Sequence, residues 1–267
     1  MLRGVLSVLM LFVLDTADTA PALAAAPDAG RAGVTTLTVF AAASLRDVFS
    51  ALGTTFEKDH PGVQAQFNFA GSDELRRQIE QGAPADVFAS ADTKHVEAAR
   101  KAGLVDAPKV FATNVPVIVV PADNPGKVKS LADLPTVKRL VIGAPEVPIG
   151  NYTRQILEKA KAQLGPDFPA RVQARVASRE FNVRQVLTKV SLGEADAGIV
   201  YRTDARSAGD NVRVVEIPAE FNVVADYVIA IVARAPHPEL ARAWVTLLTG
   251  PAGQTALEGA GFERASK

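Results

Sequence analysis

Two serines, two helix starts and one tyrosine are the parts of this chain that could handle a charged ligand. Ser44 follows Phe40-Ala41-Ala42-Ala43, and Ser72 follows Phe69-Ala70-Gly71. Each stands where a strand gives way to a helix, so each offers a hydroxyl and a free main-chain N–H at the positive end of a helix dipole. Ile149, in Val147-Pro148-Ile149-Gly150, and Val183, after Asn182, stand at two further helix starts and offer main-chain N–H groups. Tyr201 ends the apolar run Ala197-Gly198-Ile199-Val200 and offers a phenol. Together these make about seven neutral donors, a match for a tetrahedral oxyanion whose oxygens each accept more than one bond. Hydrogen bonds to a charged partner contribute roughly 1.5–3 kcal/mol each, so that number could offset burial of a dianion. Serine also suits these positions better than aspartate, because its hydroxyl can accept from the helix while donating to the ligand. The plain alternatives are a simple helix N-cap for either serine, core or loop residues for Ile149 and Val183, and a strand-end tyrosine for Tyr201.

The elements that must position these residues alternate along the chain. Val34–Phe40 is rich in β-branched residues and reads as a strand, and Leu45, Val48, Phe49 and Leu52 then fall on one helical stripe. Val63–Phe69 and Ala85–Ala89 read as strands, with helices from Ser72 to about Gly82 and from Thr93 to Ala102. The apolar run Val115–Pro121 is long enough to travel between domains, and the pattern then restarts. Strands are expected at Arg139–Ile142, Arg171–Val176, Ala197–Tyr201, Val212–Ile217 and Asp226–Val232, the last a return crossing. Helices are expected at Asn151–Leu164, Asn182–Leu192, Pro238–Leu248 and Ala252–Glu258, with a short turn at Leu131–Leu134. Such alternation implies parallel sheets wrapped by helices, with a ligand site beyond the carboxyl ends of the strands.

Composition narrows the function. The 267 residues are 48% hydrophobic and 22% charged with no net charge, so no bulk field recruits nucleic acid or an anionic membrane. There is no Cys, which removes disulfides, thiolate catalysis and Cys-based zinc sites. His60, His95 and His237 read as solvated surface, and Asp86 and Asp92 as caps of the turn into the third helix rather than metal ligands. Ala70-Gly71-Ser72-Asp73 is not a Gly-x-Ser-x-Gly elbow, and no phosphate loop or dinucleotide fingerprint is present, so the chain is read as no enzyme. A serine hydrolase is the distant alternative. Near neutral pH phosphate carries a proton and wants a carboxylate acceptor, which favours a fully ionised dianion instead. A ferric site would want paired tyrosines, and Tyr152, Tyr201 and Tyr227 are not adjacent in sequence.

The N-terminus reads as an export signal. Arg3, the apolar run Val5–Leu14 and Ala22-Leu23-Ala24-Ala25-Ala26 have the order of a secretory signal peptide over residues 1–24, followed by a disordered linker over 25–33. Cleavage is expected after Ala24, with Ala26 the alternative. No Cys follows the run to accept a lipid anchor, so a free periplasmic monomer is expected.

The blocks around the candidate residues carry a family resemblance. Phe40-Ala41-Ala42-Ala43-Ser44-Leu45, Phe69-Ala70-Gly71-Ser72 and Gly82-Ala83-Pro84-Ala85-Asp86-Val87-Phe88 resemble the periplasmic molybdate-binding proteins of ABC importers. Glu146-Val147-Pro148-Ile149-Gly150-Asn151-Tyr152, Asn182-Val183-Arg184 and Gly198-Ile199-Val200-Tyr201 match later blocks in the same order, over roughly Leu37 to Phe262. The resemblance implies an α/β, two-lobed periplasmic binding protein fold of type II. Each lobe would be a mostly parallel sheet flanked by helices, residues 34–114 with 225–267 and residues 115–224, joined by crossing strands. It implies that Ser44, Ser72, the Ile149 and Val183 N–H groups and Tyr201 hold molybdate, or tungstate, without cofactor or metal-cation ligand. It also implies delivery to an inner-membrane ABC permease, with a sulfate-type oxyanion as the alternative ligand. Two residues depart from the family pattern: Ile149 stands where alanine is common, and Asp73 where small or hydroxyl residues are.

Overall fold

The computed structural model describes residues 34–265; the expected signal peptide and linker lie outside the described residues. Among the described residues ten strands form two five-stranded sheets. The first is ordered β2-β1-β3-β10-β4, from β1 (Thr35–Ala42), β2 (Val63–Ala70), β3 (Val87–Ser90), β4 (Lys109–Asn114) and β10 (Ala225–Ile231). The second is ordered β7-β6-β8-β5-β9, from β5 (Pro116–Pro121), β6 (Leu140–Gly143), β7 (Val176–Glu180), β8 (Ala197–Tyr201) and β9 (Val212–Val215). The chain thus passes from the first sheet to the second at Val115 and returns between β9 and β10.

Around the sheets lie α1 (Arg46–Asp59), α2 (Ser72–Glu80), α3 (Thr93–Lys101), α4 (Pro148–Leu164), α5 (Phe168–Gln173), α6 (Val183–Ser191), α7 (Arg202–Ser207), α8 (Pro238–Thr249) and α9 (Pro251–Gly259). Their sequences explain them. Val48, Phe49, Leu52 and Phe56 form the buried stripe of α1, and Tyr152, Ile156, Leu157 and Ala160 that of α4. Strands β3, β5 and β8 are buried at every residue, which is why they read as unbroken apolar runs. Among the described residues no helix is long and apolar enough to cross a membrane.

The sheets are mixed rather than mostly parallel. β1 runs parallel to β2 and β3, but β10 is antiparallel to both β3 and β4. Likewise β6 is parallel to β7 and β8, while β5 is antiparallel to β8 and β9. The antiparallel pairs involve the strands that carry the chain across, whose direction is set by the crossing rather than by a helical connection. The strand expected at Arg171–Val176 is a second correction. Residues Phe168–Gln173 are helical, with Pro169 in the first turn and Phe168 and Val172 one turn apart and buried, and the strand begins only at Val176. β4 and α7 carried no sequence signal strong enough to be expected.

One aromatic cluster closes the first sheet's outer layer. Trp244 of α8 is fully buried, with ring centroids 5.4 Å from Phe49, 5.5 Å from Phe56 and 5.5 Å from Phe67. It joins α1, α8 and β2 in a single contact. Trp244→Ala should therefore lower the unfolding free energy by about 3–5 kcal/mol in urea denaturation; a loss below about 1 kcal/mol would show that the cluster is not the brace described.

Candidate functional site

The ends of β1, β2 and β8 and the starts of α2, α4 and α6 meet at one small cavity of about 210 Å3, part of it open to solvent. Ser44, Ser72, Ile149, Val183 and Tyr201 all line it. The structure brings together every residue the sequence singled out, although they span 157 positions from Ser44 to Tyr201. The rest of the wall is Ala42, Ala43, Ala70, Gly71, Ala91, Val147, Pro148 and Asn182, so no ionisable carboxylate, Lys, Arg or His faces the space. A space this small, walled by short side chains and backbone, suits a compact inorganic group.

Each donor is presented by a specific local device. Pro148 is the first residue of α4 and has no N–H, so Ile149 and Gly150 carry the free amides of that helix start. Gly150 lets α4 begin hard against the end of β6: a Cβ there would lie 1.9 Å from the Ala144 carbonyl oxygen and 2.5 Å from that of Gly143. At α6 the Asn182 side chain accepts the Gln185 N–H at 3.2 Å, capping the helix and leaving the Val183 amide to the cavity. The bulk of Ile149 packs into the core, 1% exposed, so its departure from the family pattern adds no charge or polarity to the wall.

The serines differ from expectation. Neither is an N-cap: Ala42 and Gly71 hold those positions, with no side-chain cap bond. Ser44 lies inside a short 3-10 turn, Ala43–Leu45, that leads into α1, and Ser72 is the first residue of α2. A residue already in helical conformation cannot fold its side chain back onto the amides two and three residues on, as a cap does. Instead Ser72 Oγ accepts the Ala91 N–H at 3.1 Å, and Ser44 Oγ lies 2.8 Å from Tyr227 Oη. Both partners come from elsewhere in the fold and were missed; neither Ala91 nor Tyr227 has a motif around it.

The tyrosines also correct the reading. Tyr152, Tyr201 and Tyr227 form an edge-to-face row, with ring centroids 6.4 Å apart for the first pair and 5.7 Å for the second. Their distance in sequence concealed this. Burial raises the pKa of all three, so they are neutral phenols, able to donate to an anion. Tyr201 Oη is buried without a hydrogen-bond partner at the cavity, a donor waiting for an acceptor. Among the described residues no cluster of His, Cys, Asp and Glu could hold a metal ion.

No carboxylate lines the wall, but Asp73 stands directly behind it, its Oδ1 2.7 Å from where a Cβ on Gly71 would lie. Asp73 is buried but does not line the cavity; its Oδ2 accepts from Arg77 at 2.7 Å. Asp92 caps α3 as expected, accepting the His95 N–H at 3.0 Å. Asp86 is no cap of that helix: it is fully buried and accepts the Thr38 and His237 N–H groups at 2.8 and 2.6 Å, stitching β1 to the segment before α8. His95 is not surface either. It is buried, and its Nε2–H donates to the Glu146 carbonyl at 2.9 Å, tying α3 of the first lobe to the loop before α4 of the second. On the other side of the cavity, Arg184 of α6 donates to Asp47 of α1 at 2.6 Å. Its Nε lies 2.7 Å from Asp204 Oδ1, an ion pair without hydrogen-bond alignment.

The chain can now be set beside known proteins. The family model for bacterial extracellular solute-binding proteins matches residues 37–263. The chain belongs to that family. It is 42% identical over 243 residues to the molybdate-binding protein ModA of Mycobacterium tuberculosis, covering 90% of this chain and 89% of that one. Among solved structures it is similar to the substrate-binding domain of a putative molybdenum ABC transporter from Clostridium difficile. That likeness has a TM-score of 0.64 and 27% identity, and covers 87% of this chain and all of that one. The Azotobacter vinelandii periplasmic molybdate-binding protein shares the fold with a TM-score of 0.72 at 21% identity, over 86% of this chain and 100% of that one. The two-lobed periplasmic binding protein fold of type II is therefore that of this family member.

Two measurements check this geometry. Gly150→Ala must push the start of α4 off β6, and should cost about 1–3 kcal/mol in chemical denaturation or abolish folding; wild-type stability would contradict the close approach. Burial pushes the Asp204 carboxyl up to about 6, outweighing the nearby Arg184. A raised acid pKa stabilises the fold fully below the unfolded value and loses that contribution as pH rises through the folded one. The stability of Asp204→Asn relative to wild type should thus rise between pH 4 and 7, by up to about 3 kcal/mol. A difference independent of pH would contradict this.

Proposed function

We propose that the protein binds molybdate, and tungstate alongside it, as a dianion in this cavity and delivers it to an ABC permease in the inner membrane. The observation that carries the reading is the character of the wall. Ser44, Ser72 and Tyr201 bring hydroxyls, Ile149 and Val183 bring helix-start amides, and no charge of either sign faces the space. A fully ionised oxyanion can use every one of these donors, whereas a protonated one has a hydrogen that finds no carboxylate to accept it. The relatives named for molybdate binding give the choice of ion its direction. Residues 34–114 with 225–267, and residues 115–224, would act as the two lobes that part to admit and release it. In this reading the protein works outside the inner membrane as a monomer, its leader removed after Ala24 and no lipid attached, and needs no cofactor.

Calorimetric titration of the purified protein tests the proposal. Molybdate and tungstate should bind far more tightly than sulfate or phosphate, and ligand at about 100 times its Kd should stabilise the fold by about 2.7 kcal/mol. Tyr201→Phe, which removes the unpartnered hydroxyl, should weaken molybdate binding by about 1.5–3 kcal/mol. The absence of both binding heat and thermal shift with excess molybdate would overturn the reading, and tighter binding of sulfate would move it to the alternative ligand.

A further inference from the structure

Beside the cavity one hydrogen crosses between the lobes, and two acceptors stand around it. His95 Nε2 lies 2.9 Å from the Glu146 carbonyl oxygen, and a carbonyl can only accept, so that nitrogen carries a hydrogen. Asp92 Oδ2 lies 3.7 Å from the same nitrogen, beyond hydrogen-bond reach. That oxygen is buried and accepts from no described residue. His95 and Asp92, 4% and 2% exposed, both belong to the first lobe, whereas Glu146 belongs to the second and is exposed.

A carboxylate oxygen buried without a donor is costly, and its neighbour explains why it stays. Asp92 Oδ1 accepts the His95 N–H at 3.0 Å and the Ser90 hydroxyl at 3.1 Å, which fixes the carboxylate and leaves Oδ2 beside the imidazole. When the lobes part, the Glu146 carbonyl leaves with the second lobe and exchanges His95 for water. The imidazole then holds a hydrogen with Asp92 Oδ2 beside it, and a shift of about 1 Å brings the two to bonding distance. The opposite rim repeats the arrangement with the lobes exchanged. Arg184 of the second lobe donates to Asp47 of the first at 2.6 Å. Asp204 of its own lobe is fully buried, with Oδ1 2.7 Å from Arg184 Nε and neither carboxylate oxygen hydrogen-bonded.

We propose that lobe closure exchanges the partner of His95, whose Nε2–H donates to the Glu146 carbonyl in the closed form and to Asp92 Oδ2 in the open one. Asp92 is then a positioning residue for ligand release: it acts through His95 and does not line the cavity. The inference rests on the oxyanion-binding reading above, in which the lobes open to admit and release the ion. Retention of the ion depends on the difference between the two bonds, so a strong acceptor waiting in the first lobe speeds release. Glu146 also begins the loop that leads to the Ile149 amide, so the bond that closes the lobes helps to set a cavity donor in place.

Asp92→Asn separates the two acceptors. Oδ1 already takes two donors, so the carboxamide oxygen takes that place and its NH2 faces His95, where it cannot accept. The open form loses its acceptor while the closed form keeps Glu146. Release of radiolabelled molybdate, chased by the unlabelled ion, is measured for wild type, Asp92→Asn, His95→Phe and the double variant. Asp92→Asn should slow release about tenfold, the scale of one hydrogen bond to a charged group. A merely structural role would loosen the site and speed release. Removing a negative charge near the cavity favours a dianion with or without His95, so the decisive quantity is the difference between backgrounds. In the His95→Phe background the same change should slow release by no more than about threefold. Equal slowing in the two backgrounds, or none with His95 present, overturns the inference while the oxyanion reading stands. A wild-type protein that binds no molybdate overturns both. Should the variants fail to fold, a crystal structure of the ligand-free wild type decides. His95 Nε2 should there be parted from Glu146 and within hydrogen-bond distance of Asp92 Oδ2. An imidazole that keeps the Glu146 carbonyl, or leaves it without meeting Asp92, overturns the inference.

Discussion

Burying a dianion with no counter-ion is possible only if every polar atom around it presents a hydrogen, and much of this structure follows from that constraint. Water would supply donors freely, and a cavity that excludes it must replace them with groups already aimed. Backbone amides at helix starts meet the requirement without adjustment, since they cannot accept. Hydroxyls do not, because each can turn. Ser72 accepts from a backbone amide, which leaves its hydrogen for the cavity, and Ser44 is held 2.8 Å from the buried Tyr227 hydroxyl. Burial keeps Tyr201 a neutral phenol for the same purpose.

The second requirement is that donors from two sheets converge. Ser44 and Ser72 belong to the first sheet's strand ends, and Ile149, Val183 and Tyr201 to the second's, so the site exists only while the two are apposed. Contacts on either side of the cavity hold that apposition. His95 reaches the Glu146 carbonyl, Arg184 reaches Asp47, and Gly71 approaches the Phe181 carbonyl so closely that a Cβ would lie 2.4 Å from it. Tyr201 and Tyr227 pack edge to face across the same seam, 5.7 Å between ring centroids, so the apposition has an apolar part as well as these polar contacts. Arg184 directly follows Val183, so the residue that clasps the first lobe adjoins one that presents an amide to the site.

Much of this was legible in the sequence because its causes are local. A small-residue strand end followed by an apolar helical stripe marks a free helix start, and Ser44 and Ser72 carry that signal; Ile149 and Val183 show only a helix start, and it was the family resemblance that singled them out. Tyr201, at the end of a buried strand, was the fifth. What the sequence could not reveal is what depends on pairing at long range. Tyr227 lies 183 positions from Ser44, and His95 is buried by a carbonyl 51 positions away. Strand direction was lost for a related reason: β5 and β10 run antiparallel to their neighbours because the chain crosses between sheets there, which no periodicity encodes. The helix at Phe168–Gln173 was misread as a strand because six residues are too short for the helical period to separate from alternation.

One uncharged, donor-only cavity is what must hold the oxyanion. A crystal structure of the protein grown with molybdate, with the metal located by its anomalous scattering, tests it most directly. A single strong peak is expected between the two lobes. Its oxygens should lie within hydrogen-bond distance of the hydroxyls of Ser44, Ser72 and Tyr201 and the amides of Ile149 and Val183. A peak held instead by Arg, Lys or a bound cation elsewhere on the surface, with this cavity empty, would contradict it.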